Sequence, residues 1–136
     1  MSNNKYFTFV FALGFLFISS GCHEGSGNPI GSQDVLELDG AVFQIDSTYT
    51  SSSRFYVEGR ITNQSTTTYH PHWYIEGEFF ADENSNLIFG GSSTSFNYPL
   101  APMNQTFFDL DFSSNNIIES EYPNFDVRNL RAYINN

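Results

Sequence analysis

No stretch of this chain restricts its fold more than Arg54 to Asp82, where apolar side chains recur at every second position. Phe55, Val57, Gly59 and Ile61 fall on one side of an extended segment, and Tyr56, Glu58, Arg60 and Thr62 on the other. After a polar loop from Asn63 to Thr68 the pattern returns: Trp73, Ile75, Gly77 and Phe79 alternate with His72, Tyr74, Glu76, Glu78 and Phe80. Successive side chains of a strand point to opposite faces, so this period predicts two half-buried β-strands. Gly59, mid-strand, is expected to make room for an aromatic ring from the opposite sheet.

Shorter segments repeat the theme. Val35, Leu36 and Leu38 read as a first strand ended by an Asp39-Gly40 turn, and Val42, Phe43 and Ile45 as a second. Ser47 to Ser53, all Ser, Thr and Tyr, reads as a loop. Asp82-Glu83-Asn84-Ser85-Asn86 reads as a hairpin turn before Leu87, Ile88 and Phe89, with a bend at Gly90-Gly91 and Phe96 further on. A turn over Pro99 to Asn104 leads into Thr106 to Phe112, with Phe108, Leu110 and Phe112 inward and Phe107, Asp109 and Asp111 outward. Ile117-Ile118 forms a short element, and the last strand is Asp126 to Ile134, with Leu130, Ala132 and Ile134 on one face. About seven short strands, separated by turn signals, predict an all-β chain: an immunoglobulin-like antiparallel β-sandwich over residues 34–136, with Trp73 buried on a long strand.

The N-terminus is of another kind. Tyr6 to Ile18 is a near-continuous apolar run of 13 residues behind Lys5. That length suits a signal-peptide core better than a membrane-spanning helix. Ser19-Ser20-Gly21-Cys22 follows and resembles the lipobox of bacterial lipoproteins, in the relaxed form of Bacteroidetes-like ones, with Ser19 where Leu is commonest. The resemblance implies cleavage after residue 21 and acylation of Cys22, the one cysteine in the chain. Each buried methylene of an acyl chain contributes about 0.8 kcal/mol, so palmitate-length chains would hold the protein on a membrane. Residues 22–33 are rich in Gly, Ser and Asn and read as a flexible tether. Asp, a retention signal for the inner membrane in some bacteria, is replaced after the cysteine by His23, which favours the outer membrane.

Charge narrows the partners. The chain carries 15 acidic and 5 basic residues, a formal net charge of −10. Lys5 is the single lysine, so a chain starting at Cys22 would stand one unit lower, at −11. Phosphate binding needs clustered Lys and Arg, so nucleic acid is excluded as a partner. With one cysteine, no internal disulfide can form, and the domain depends on its core.

Three segments resemble FxLYD-type immunoglobulin-like domains. Tyr56-Val57-Glu58-Gly59-Arg60-Ile61-Thr62-Asn63-Gln64-Ser65 is similar to their V-x-G-x-V-x-N-x-S opening. Phe79-Phe80-Ala81-Asp82-Glu83-Asn84 is similar to their F-Y-D-x-x-G hairpin, departing at Ala81. Leu100-Ala101-Pro102 with Phe107 or Phe108 resembles their L-x-P-G-x-x-x-x-F segment, with Met103-Asn104 in place of Gly-Glu. The resemblance covers Val42 to Phe112 and implies an envelope sandwich module with no assigned chemistry. Asp46-Ser47-Thr48 also resembles a short O-glycosylation motif of exported proteins, which would modify Ser47 or Thr48.

Few constellations could carry chemistry. His70 and His72, two apart, would share a strand face and could hold Zn²⁺ or Cu²⁺ with a third ligand from Glu76 or Glu78. Surface histidines at a strand entrance are the plainer account. Asp82, Asn84 and Asn86 have the alternate-oxygen spacing of a Ca²⁺ loop, but also that of an ordinary hairpin. Asp109 with Asp111, and Glu119 with Glu121, could pose as paired carboxylates, although solvated strand faces alternate in the same way. No nucleophile elbow or free thiol is present, so no enzyme and no cofactor is expected. Tyr56, Tyr74, Phe80 and Phe107 are expected outward, as contacts for a protein or a sugar. The sequence thus predicts a non-enzymatic, envelope-anchored lipoprotein whose sandwich mediates protein interaction. The alternatives are a carbohydrate-binding module and a metal-binding accessory protein.

Overall fold

The computed structural model describes residues 35–136. The leader at 1–21, Cys22 and the tether at 22–33 lie outside the described residues. Seven strands follow in order: β1 (Val35–Glu37), β2 (Ala41–Ser51), β3 (Arg54–Asn63), β4 (Trp73–Phe80), β5 (Ile88–Phe96), β6 (Gln105–Phe112) and β7 (Asp126–Asn135). One 3₁₀ turn, Glu119–Glu121, precedes β7. All pairings are antiparallel, in a four-stranded sheet ordered β1-β7-β4-β5 and a three-stranded sheet ordered β2-β3-β6. The domain is a β-sandwich.

The two strands of the Arg54–Asp82 stretch are β3 and β4, and they lie in opposite sheets. Their alternating apolar positions therefore face each other across the core. Phe55, Val57 and Ile61 from β3 meet Trp73, Ile75 and Phe79 from β4, all at most 1% exposed. Trp73 stacks on Phe96 with ring centroids 4.1 Å apart, and its indole N–H donates to the Tyr98 carbonyl at 2.9 Å. In the constant-type immunoglobulin order, strands A, B, E and D face C, F and G, so β5, which lies beside β4, has no counterpart there. Here β2, β3 and β6 correspond to A, B and E, and β4 and β7 to C and F. The buried Trp falls on the C equivalent. β1 departs from that order: it comes first in the chain, yet pairs with β7 where the final strand would lie, Val35 opposite Asn135.

Two expectations need correction. The Ser47–Ser53 run is no loop, because β2 extends through Ser51 and pairs with β3 up to Ser51 opposite Arg54. Thr and Tyr are good strand formers. The turn is Ser52-Ser53 alone, both with positive φ (51° and 63°), as in the two-residue type I′ turns that usually take Asn-Gly. Gly59 does face an aromatic, but one from its own sheet: a Cβ there would come within 2.8 Å of the Phe108 ring and 2.5 Å of the Gln44 carbonyl. The inner face of β7 carries Leu130, Ala132 and Ile134 as expected, and Val127 joins it. The β4–β7 register slips between Glu76–Arg131 and Glu78–Arg128, and Asn129 takes φ 55°. This extra residue changes the parity of β7, so Val127 and Leu130 both pack over Gly77.

Candidate functional site

The outer face of the three-stranded sheet is a grid set by register. Tyr49, Tyr56 and Asp111 form one row across β2, β3 and β6. Ser47, Glu58 and Asp109 form the next, and Gln44, Arg60 and Phe107 the third. Rows on one face of a sheet are about 7 Å apart. Tyr49 and Tyr56 stack with centroids 5.0 Å apart and planes 13° from parallel. The Tyr49 hydroxyl donates to Glu58 Oε1 at 2.9 Å, and the Ser47 hydroxyl to Oε2 at 3.2 Å. The hydrogen bond to Glu58 raises the Tyr49 pKa above its ordinary value, reinforced by desolvation and by the negative charges of Glu58 and Asp109.

Cations on this face are already engaged. Arg60 forms two hydrogen bonds to Asp46, at 2.8 and 2.6 Å. These hold the Asp46 carboxyl below its usual range and raise Arg60. Arg54 pairs with Asp111. On the other sheet Arg128 pairs with Asp126 at 3.2 Å, and Arg131 with Glu76. The described residues hold no lysine, so all their Lys and Arg side chains are in ion pairs. Glu58 and Asp109 sit directly opposite each other with no basic group of the described residues within 4.0 Å. Like charges at facing positions weaken a sheet. Above them lies an open groove of about 410 Å³, lined by Asp46, Tyr49, Tyr56, Glu58, Phe107 and Asp109. Phe107 is 72% exposed.

Two of the four aromatics expected outward, Tyr56 and Phe107, are thus brought together. The other two belong to the other sheet. Tyr74 is half-buried and stacks on Tyr133 with centroids 5.3 Å apart. Phe80 is no surface contact: it is buried, with the Arg128 guanidinium 3.6 Å above its ring. Arginines roof this sheet, and its Glu76 and Glu78 are buried beneath them, Glu76 accepting from Arg131 and Glu78 from Asn129. Asp111 is held by Arg54, so Glu58 rather than Asp111 is the carboxylate that Asp109 faces without an intervening cation.

The metal candidates fare as follows. His70 and His72 do not share a strand face; both are exposed in the turn before β4, which begins at Trp73. Asp82 to Asn86 forms the β4–β5 hairpin loop, where Asp82 Oδ1 accepts from the Asn84 backbone N–H at 2.8 Å. Asp82 and Asn84 line a second hollow of about 600 Å³ with Asn124 and Asp126. Among the described residues no three His, Cys, Asp or Glu side chains are grouped to hold a metal. Glu119 and Glu121 lie in the 3₁₀ turn rather than on a strand face. Sequence reasoning missed Tyr49, which it had placed in a loop; the alternating Thr48-Tyr49-Thr50 was the available signal.

The residues behind the family resemblance are structural. Asn63 is fully buried and donates to the carbonyls of Thr67 and Leu100 at 2.7 and 2.9 Å. Its own oxygen accepts from the Ser65 N–H and hydroxyl. Leu100 in turn pairs with Tyr69 across an isolated bridge. These positions pin the β3–β4 crossover to the turn before β6.

Fold and face together define an antiparallel β-sandwich with an acidic, aromatic groove on its smaller sheet. Compared with known protein families, with curated proteins and with solved structures, the chain finds no match.

Proposed function

We propose that this protein is a non-enzymatic lipoprotein of the cell envelope, anchored through acylated Cys22 on the outer membrane, whose β-sandwich binds a partner protein. The observation that carries the binding role is the groove of Tyr49, Tyr56 and Phe107, which leaves Phe107 72% and Tyr49 42% exposed on the outer face of the smaller sheet. Grouped aromatics on a surface mark contact sites. The leader and lipobox support the anchor, and the resemblance to FxLYD-type domains supports an envelope module. A sugar platform needs open ring faces, whereas Tyr49 and Tyr56 each give one face to the other.

Two measurements test this. Labelled palmitate enters the wild-type protein and not Cys22→Ala. A photo-crosslinking amino acid at position 107 captures a discrete protein in intact cells, whereas one at position 83 on the β4–β5 loop does not. Label retained by Cys22→Ala rejects the anchor. Absence of any adduct at 107 rejects the binding face.

A further inference from the structure

We propose that the groove over Glu58 and Asp109 receives a lysine or arginine side chain from a basic segment of the partner protein. This rests on the reading of the same face as a protein-binding surface and names its occupant.

Charge complementarity carries the choice. Glu58 and Asp109 are cross-strand neighbours. Every arginine of the described residues is spent on another carboxylate. The cation that relieves this pair must therefore come from outside the domain. Aromatic rows flank the carboxylates on both sides, Tyr49 and Tyr56 on one and Phe107 on the other. A cation bound there would have ring faces within reach, and the methylene stem of Lys or Arg would cover the exposed Phe107. Ser47 and Tyr49 already hold the Glu58 carboxylate in place, which lowers the cost of ordering it on binding.

Other occupants fit less well. A second copy of the domain would bring only paired arginines and the same negative face. Ca²⁺ takes six to eight oxygens, whereas half of this lining is aromatic.

The test uses the full-length protein in detergent micelles and a fluorescent, N-acetylated tetralysine peptide, titrated by anisotropy at physiological salt. The peptide binds the wild-type protein, and Glu58→Gln/Asp109→Asn weakens it at least about tenfold. Phe107→Ala weakens it about threefold. Glu119→Gln/Glu121→Gln removes the same charge elsewhere and changes it less than about twofold. Trp73 fluorescence verifies that each variant is folded. Equal weakening by the two charge-matched doubles reduces the binding to general acidity and overturns the proposal, as does absence of tetralysine binding. A protein that ignores tetralysine yet still crosslinks from position 107 loses the cationic occupant and keeps the binding face; one that does neither loses both.

Discussion

Asn63 shows how much one polar side chain can decide when it is buried with its bonds satisfied. It ties Thr67, Leu100 and Ser65 together at the crossover between the sheets. Asn63→Ala removes four hydrogen bonds and leaves the Ser65 N–H without its acceptor, while the Leu100 and Thr67 carbonyls keep the Tyr69 N–H and the Ser65 hydroxyl. A loss of about 2–3 kcal/mol is expected, read by urea unfolding of Trp73 fluorescence. Tyr69 adds a pH dependence. Its hydroxyl donates to the Asp39 carbonyl at 2.7 Å, and burial raises its pKa above the ordinary 10.0. The folded state therefore keeps this proton longer than the unfolded chain does. Its contribution is complete below pH 10.0 and is lost as pH rises through the raised value. Burial raises Tyr133 in the same sense. Tyr69→Phe should cost about 1 kcal/mol at neutral pH and make the alkaline decline shallower, measured by denaturant midpoints across pH 8–11. Asp46 acts at the other end: its pKa is lowered by Arg60, so that pair contributes above the ordinary carboxylate value and fades as pH falls.

Strands and turns show what the sequence could and could not announce. Ser52-Ser53 holds two positive φ angles without a glycine. Ser52→Asn/Ser53→Gly should stabilise the β2–β3 hairpin by roughly 0.5–1 kcal/mol, seen as a higher thermal midpoint. Gly59→Ala should destabilise by roughly 1–3 kcal/mol, because its methyl group would meet backbone on one side and the Phe108 ring on the other. The inward faces of β3, β4 and β6 were legible because a period of two survives in any half-buried strand. The β2 extension was not, since its Ser and Thr residues also suit loops and its turn lacks the usual residues. Nor was the buried state of Phe80, Glu76 and Glu78. Their cover is supplied by Arg128, Asn129 and Arg131, some fifty residues further on, and only the register of β7 brings them together. Tyr56, Glu58, Phe107 and Asp109 were legible as outward positions of the groove. Tyr49 was lost with the β2 extension, and grouping the residues required knowing that β2 and β6 both flank β3.

Across the whole molecule, negative charge is in surplus. A net charge of −10 with every described arginine already paired predicts a thermal midpoint that rises as salt is added to a low-salt buffer, the reverse of a fold held by surface ion pairs. Glu58→Gln/Asp109→Asn should raise that midpoint as well, since it removes a facing like-charge pair. A gain in stability coupled to a loss of tetralysine binding would show that the site is maintained at the expense of the fold. The pairing of Val35 with Asn135 has a spatial consequence. The polypeptide enters and leaves the described sandwich at one pole, so a tag placed just before residue 35 and a reporter fused after residue 136 would sit side by side. The Ser52-Ser53 and Asp82–Asn86 turns crown the opposite pole.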